Sequence, residues 1–126
     1  MPLTRIDVPR GKSPEYRQTL RDVVYETMNE VIGVPDGDRF EVLAEHDPAD
    51  LDISPDYLGI PRSAEAIVIQ ITLNEGRSIE TKQAFYAALA NALHERAGLR
   101  PEDLTVNLVE VKKENWSFGN GIAQYA

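Results

Sequence analysis

The stretch Gly76–Glu80, GRSIE, repeats the stretch GKSPE at Gly11–Glu15, 65 residues earlier in a chain of 126 residues. The same shift aligns further pairs at equivalent places: Ser13 with Ser78, Gly33 with Gly98, Asp38 with Asp103, and Leu43 with Leu108. Matches at helix starts, helix ends and strand positions indicate a duplicated supersecondary unit. We therefore expect one domain over residues 1–126, with copies at 1–46 and 66–111, a joining loop at 47–65 and a tail at 112–126.

Each copy has the pattern of a strand, a helix and a second strand. A serine able to cap a helix precedes an apolar stripe with helical spacing, and a glycine follows the stripe. Short runs rich in β-branched residues flank each helix. The predicted elements are strands at Leu3–Val8, Phe40–Glu45, Ala66–Leu73 and Leu104–Val111, and helices between Ser13 and Gly33 and between Ser78 and Gly98.

These elements predict an α/β fold of two fused βαβ units, which form a four-stranded mixed sheet with two helices on one face. A crossover helix makes each strand pair parallel and its connection right-handed. Ile6 and Val8, with Ile71 and Leu73, should face the helices. The other face has mixed polarity and carries Leu3, Arg5, Asp7, Val68, Gln70 and Thr72. A bare face of this kind predicts a homo-oligomer.

Composition excludes several classes of function. The absence of cysteine rules out disulfides and thiolate chemistry. No apolar run is long enough to span a membrane, so we expect a cytoplasmic protein. A formal net charge of −8 with scattered basic residues opposes binding to nucleic acid and to anionic membranes. An anionic small substrate would need its own local arginine.

No cofactor or metal site is predicted. His46 and His94 lack a metal-binding spacing, and the acidic residues Asp47, Asp50, Asp52 and Asp56 lack the pattern of a Ca²⁺ loop. Nucleotide-binding glycine motifs and the GxSxG motif are also absent.

Pro2 is the remaining candidate for chemistry. Removal of Met1 would leave its secondary amine as the chain terminus. An α-amino group has a pKa of about 8, so burial or a neighbouring cation can make it a base near neutral pH. The protonated amine would be an acid. The neutral amine can also attack a carbonyl group to form an iminium.

Several segments in order resemble the tautomerase superfamily, in its malonate semialdehyde decarboxylase-like branch. They are PLTRIDV from Pro2, GVPDGDRF from Gly33, GRSIETKQ from Gly76 and WSFGNGIAQY from Trp116. The resemblance covers nearly the whole chain. It implies a cofactor-free homotrimer that acts on a small anionic oxo acid.

The resemblance also implies roles for individual residues. Pro2 and Asp38 correspond to the catalytic proline and aspartate, Arg77 to a substrate-binding arginine, and Trp116 and Phe118 to an aromatic pocket wall. The chain departs from the family at Asn74, which lies in the substrate-binding region where the best-known decarboxylases carry a second arginine. Decarboxylation, tautomerisation and hydration therefore stay open, as does a non-catalytic ligand-binding module.

Structural roles are the alternative for these side chains. Asp38 follows Pro35 and Gly37 and suits a turn, as its counterpart Asp103 does. Arg77 precedes a predicted helix start, where the helix dipole disfavours a cation, and this favours an anion bound there. Trp116 and Phe118 would equally serve to pack the tail.

Overall fold

The computed structural model describes residues 2–126. Its helices and strands agree with the predicted ones to within about two residues at their ends. They are β1 at Leu3–Pro9, α1 at Pro14–Val31, β2 at Glu41–His46, β3 at Ile67–Asn74, α2 at Ile79–Ala97 and β4 at Leu104–Val111. Short 3₁₀ turns interrupt the loop between β2 and β3, precede β4 and follow it.

The predicted caps begin and end the helices. The Ser13 hydroxyl oxygen accepts a hydrogen bond from the Tyr16 amide at 3.1 Å, and Ser78 does the same for Thr81 at 3.1 Å. Each satisfies one of the amides that a helix start leaves without a partner. Gly98 ends α2 in the left-handed conformation, with a φ of 69° that a side chain would oppose.

The strand order in the sheet is β2-β1-β3-β4. The pairs β1–β2 and β3–β4 are parallel, whereas the two central strands pair antiparallel, with Thr4 opposite Ile71. The mixed sheet of two fused βαβ units is therefore confirmed. The first strands of the two copies are neighbours at the centre.

The core lies between the helices and one face of the sheet. The predicted inward residues Ile6, Val8, Ile71 and Leu73 are at most 2% exposed and pack with Leu20, Val23, Val24, Phe85, Leu89 and Leu93 from the helices. On the other face Arg5 and Gln70 are exposed, in agreement with the predicted mixed polarity. None of the helices among residues 2–126 has the length and apolar character needed to cross a membrane.

Candidate functional site

The amino end of β1 meets three other parts of the chain. The Thr4 amide donates to the Phe40 carbonyl oxygen at 2.9 Å, and Leu3 pairs with Thr72 of β3. Extending the β1–β2 register by two residues brings Pro2 level with Arg39, and extending the β1–β3 register by one residue brings it level with Leu73. Pro2 is buried, and Met1 lies outside the described residues.

Asp38 lies on the β2 side of this end of the sheet. It is 7% exposed, and its amide donates to the Pro35 carbonyl oxygen at 3.2 Å, so it does end a turn after α1. Burial raises the pKa of the Asp38 carboxyl group, while the positive charge of the chain's amino terminus acts in the opposite direction.

The counterpart of Asp38 in the second copy has a purely structural environment. Asp103 is 1% exposed, and its two carboxylate oxygens accept hydrogen bonds from the amide and the hydroxyl of Ser63, both at 2.7 Å. Ser63 belongs to the loop that leads into β3. The duplicated aspartate position thus anchors this loop in the second copy and lies at the amino end of β1 in the first.

Arg77 spans the end of α1 and the end of β3. Its Nε and Nη2 donate to the Ile32 carbonyl oxygen at 3.2 and 3.1 Å, and Nη1 donates to the Asn74 carbonyl oxygen at 3.2 Å. Ile32 caps the carboxyl end of α1, where the helix dipole favours a cation. This contact is the physical reason for a cation before α2, so its position there does not by itself indicate a bound anion.

The binding of an anion by Arg77 stays a prediction. A guanidinium group has five N–H bonds, and the contacts with Ile32 and Asn74 use three of them. The side chain is half-buried, so the other two can reach a ligand.

Asn74 joins Arg77 to the C-terminal tail. Its side-chain oxygen Oδ1 accepts a hydrogen bond from Nε1 of Trp116 at 2.8 Å. The Trp116 ring stacks on Phe118 at 5.2 Å between centroids, and Phe118 lies 5.6 Å from the ring of Phe40, two residues after Asp38. The tail thus connects both sides of the amino end of β1.

Phe40 and Tyr125 are aromatic members of this site that the sequence analysis missed. Tyr125 meets Phe118 edge-on at 5.7 Å between centroids. The Phe118 amide donates to Oε1 of Gln124 at 2.9 Å, which folds the tail back on itself. The only signal in the sequence was the position of Phe40 directly after the DR pair of the GVPDGDRF segment.

A cavity of about 440 Å³ adjoins Asn74 under the tail. It is lined by Asn74, Glu75, Val111, Lys112, Lys113, Glu114 and Tyr125. Its two lysines and two glutamates balance in formal charge. Among residues 2–126, no group of three or more histidine and acidic side chains is placed to hold a metal ion.

The fold and the site define a small α/β protein with its candidate site at the amino end of its first strand. Two family models, both described as tautomerase enzyme, match residues 2–64 and 38–119. The probable tautomerase YusQ of Bacillus subtilis is 36% identical over 124 residues, which cover 98% of both chains. The chain belongs to the tautomerase enzyme family.

Solved structures place it near one branch of that family. FG41 malonate semialdehyde decarboxylase, inhibited by 3-bromopropiolate, matches with a TM-score of 0.91 at 37% identity, covering 98% of this chain and 93% of the other. A further malonate semialdehyde decarboxylase, described with decarboxylase and hydratase activities, matches with a TM-score of 0.90 at 32% identity, covering 98% and 95%. A fused 4-OT, which forms a symmetric trimer, shares the fold with a TM-score of 0.80 at 22% identity, covering 98% and 97%.

Proposed function

We propose that the mature protein is a cofactor-free enzyme that uses the amine of Pro2 to act on a small oxo acid, with decarboxylation of malonate semialdehyde or a related 3-oxo acid as the preferred reaction. The observation that carries this proposal is the buried position of Pro2 at the amino end of β1, level with the segment that holds the buried Asp38. The similarity to two malonate semialdehyde decarboxylases favours this reaction over others.

Each side chain has a role in the proposal. The two remaining N–H bonds of Arg77 hold the substrate carboxylate. Asp38 orients the amine through its negative charge, and burial raises the pKa of its carboxyl group. Trp116 and Phe118 exclude water from the reacting atoms, which strengthens the electrostatic interactions among them.

In the decarboxylation, the bond between the carboxylate carbon and the α-carbon breaks and CO₂ leaves. Its electron pair moves into an enolate, whose oxygen is stabilised by the protonated amine of Pro2. The α-carbon then takes a proton from the protonated amine of Pro2, which regains one from water, so that a 3-oxo acid gives the aldehyde or ketone with one carbon fewer. A neutral amine would instead move a proton between carbon and oxygen, as in tautomerisation, and orientation of a water molecule by Asp38 would give hydration.

The proposal includes a homotrimer in the cytoplasm. The uncovered sheet face supports the assembly, and the fused 4-OT shows that the fold forms trimers in other proteins.

Replacement of Pro2 tests the proposal. Wild type and Pro2→Ala, both shown by intact mass to lack Met1, are assayed with malonate semialdehyde and with further 3-oxo acids. We expect kcat/KM to fall at least ~10²-fold in Pro2→Ala, as for loss of an acid–base catalyst. Pro55→Ala, in an exposed loop, is the matched control and should keep full activity.

Two results would contradict the proposal. One is full activity of Pro2→Ala on every oxo acid that wild type converts. The other is the absence of any conversion by wild type, which would favour the non-catalytic binding module.

A further inference from the structure

Asp38 lies in a turn whose flanking residues are both bound to α1. On one side, the Gly37 amide donates to the hydroxyl oxygen of Tyr25 at 2.8 Å. On the other side, Nη2 of Arg39 donates to Oδ1 of Asp22 at 2.6 Å, and Cζ of Arg39 lies 4.6 Å from the centroid of the Tyr25 ring. Asp22 and Tyr25 are three residues apart on α1, so they lie on one face of that helix.

Arg39 also binds the start of β2. Its Nε donates to Oε1 of Glu41 at 2.7 Å, and the Glu41 side chain is only 7% exposed. A buried carboxylate needs a charged partner, which the guanidinium group supplies. Arg39 thus ties the Asp38 turn to both α1 and β2. We name the four side chains Asp22, Tyr25, Arg39 and Glu41 the clamp.

The second copy of the unit has apolar residues at all four clamp positions. The shift of 65 residues places Ala87, Ala90, Leu104 and Val106 there. The last three of them line a cavity of about 260 Å³. The aspartate of this copy, Asp103, is held instead through its own carboxylate by Ser63. The two copies therefore hold equivalent aspartates in different ways.

This difference matters for what each aspartate can do. In the second copy, hydrogen bonds from Ser63 use the carboxylate oxygens of Asp103 as the anchor. In the first copy, the clamp binds the residues on either side of Asp38, which fixes the direction of the side chain without using its oxygens as the anchor. A misplacement of about 1 Å in a catalytic site can cost ~10²-fold in rate.

We propose that the clamp is a positioning device, which sets the direction of the Asp38 carboxylate at the amino end of β1. Tyr25 and Arg39 are positioning residues that act through Asp38 and contact no reacting atom. The inference rests on the proposed function only for the part that Asp38 plays in the reaction.

Tyr25→Phe tests the clamp by removing one hydroxyl group while the ring beside Arg39 stays. The Gly37 amide then loses its acceptor. We expect kcat for the 3-oxo acid to fall ~10-fold with KM within roughly twofold of wild type, because the carboxylate contact proposed at Arg77 is untouched.

Two more variants accompany Tyr25→Phe. Arg39→Lys keeps the charge but loses the planar fork that binds two carboxylates, so it should lower kcat to a similar degree. Tyr86→Phe is the matched control, because this hydroxyl on α2 has no hydrogen bond with residues 2–126. It should keep the wild-type kcat.

The titration of Asp38 gives a second measurement, which needs no turnover. Burial raises the pKa of the Asp38 carboxyl group, so a loosened turn that admits water should lower this pKa toward its ordinary value. Carbon-13 NMR of the carboxyl carbon in the unliganded protein measures the change. We expect a downward shift in Tyr25→Phe and in Arg39→Lys, and none in Tyr86→Phe.

A double variant separates positioning from a merely structural role. If Tyr25 acts through Asp38, the ~10-fold loss of kcat should shrink to less than about twofold when Tyr25→Phe is added to Asp38→Asn. A structural role would give the same loss in both backgrounds. The inference is wrong if that loss persists, or if folded Tyr25→Phe keeps either the kcat or the Asp38 titration of wild type. Arg39→Lys decides the same points if Tyr25→Phe does not fold.

Failure of the proposed function is distinguishable from failure of this inference. Full activity of Pro2→Ala, or no conversion by wild type, would contradict the proposed function, and the Asp38 titration alone would then decide whether the clamp holds the carboxylate. Loss of activity in Pro2→Ala together with wild-type behaviour of Tyr25→Phe would contradict this inference alone.

Discussion

Replacement of Arg77 should destabilise the protein even in the absence of substrate. Its guanidinium group satisfies the Ile32 carbonyl at the end of α1 and the Asn74 carbonyl at the end of β3. In Arg77→Ala both acceptors lose a charged donor, and the carboxyl end of α1 loses the cation that complements its dipole.

The magnitude follows from these contacts. A hydrogen bond to a charged group contributes about 1.5–3 kcal/mol when well buried. Arg77 is only half-buried and two of its N–H bonds share one acceptor, so the lower end of that range applies to each of the two carbonyls. With the dipole contribution we expect Arg77→Ala to lower the free energy of unfolding by about 3 kcal/mol, which is ~10 °C in Tm for a chain of this length. Arg77→Lys keeps the charge but loses the planar fork, so about half of that loss is expected.

Denaturant unfolding and thermal scans at one protomer concentration measure this effect, because assembly makes apparent stability depend on concentration. Arg10→Ala removes an exposed arginine whose side chain has no hydrogen bond or ion pair with residues 2–126, and should change stability by less than about 0.5 kcal/mol. A loss below about 1 kcal/mol in Arg77→Ala would refute the capping role. In enzyme assays the folded fraction of the same variant should show chiefly a raised KM for the oxo acid, and an unchanged KM would contradict the proposed carboxylate contact.

Two further changes test the duplicated aspartate position. Asp103→Ala leaves the amide and hydroxyl of Ser63 without acceptors, so urea titration should show that the free energy of unfolding falls by about 2–4 kcal/mol. The control Asp56→Ala removes an exposed side chain that caps nothing and should leave the free energy of unfolding nearly unchanged. Equal losses in the two variants would refute the anchoring role. Burial raises the pKa of Asp38 in the folded state above its unfolded value of about 4. The free energy of unfolding therefore falls as the pH rises through the raised pKa, and it is unaffected below the unfolded value. Asp38→Asn should therefore be more stable than wild type at neutral pH, with a gain that vanishes in acid; a gain that grows as the pH falls would refute this sign.

The local elements could be predicted because each leaves a periodic pattern. The caps Ser13 and Ser78 and the glycine end of α2 act over three or four residues, and a serine or glycine at such a place has few alternative roles. The inward positions Ile6 and Val8 follow from strand alternation alone. The parallel pairing predicted for a βαβ unit brings the starts of β1 and β2 together, and the structure shows that this places the Asp38 segment at the amino end of β1.

The contacts of the site itself depend on residues far apart in the chain. Arg77 binds the carbonyl of a residue 45 positions away, and Trp116 binds Asn74 across 42 positions. No period in the sequence indicates such pairs. The tail that brings Trp116 and Phe118 to Phe40 has no amphipathic pattern and is bent at glycines.

The sequence by itself thus determined the elements, the face that each one buries, and the end of the sheet where Pro2 lies. These properties follow from spacing along one segment or from the handedness of a βαβ unit. Only the tertiary structure decided which atoms of Arg77 are already bound and which way the Asn74 amide points. A side chain's free donors depend on which carbonyl or indole the folded chain brings within about 3 Å, and that distance is a property of the whole packing.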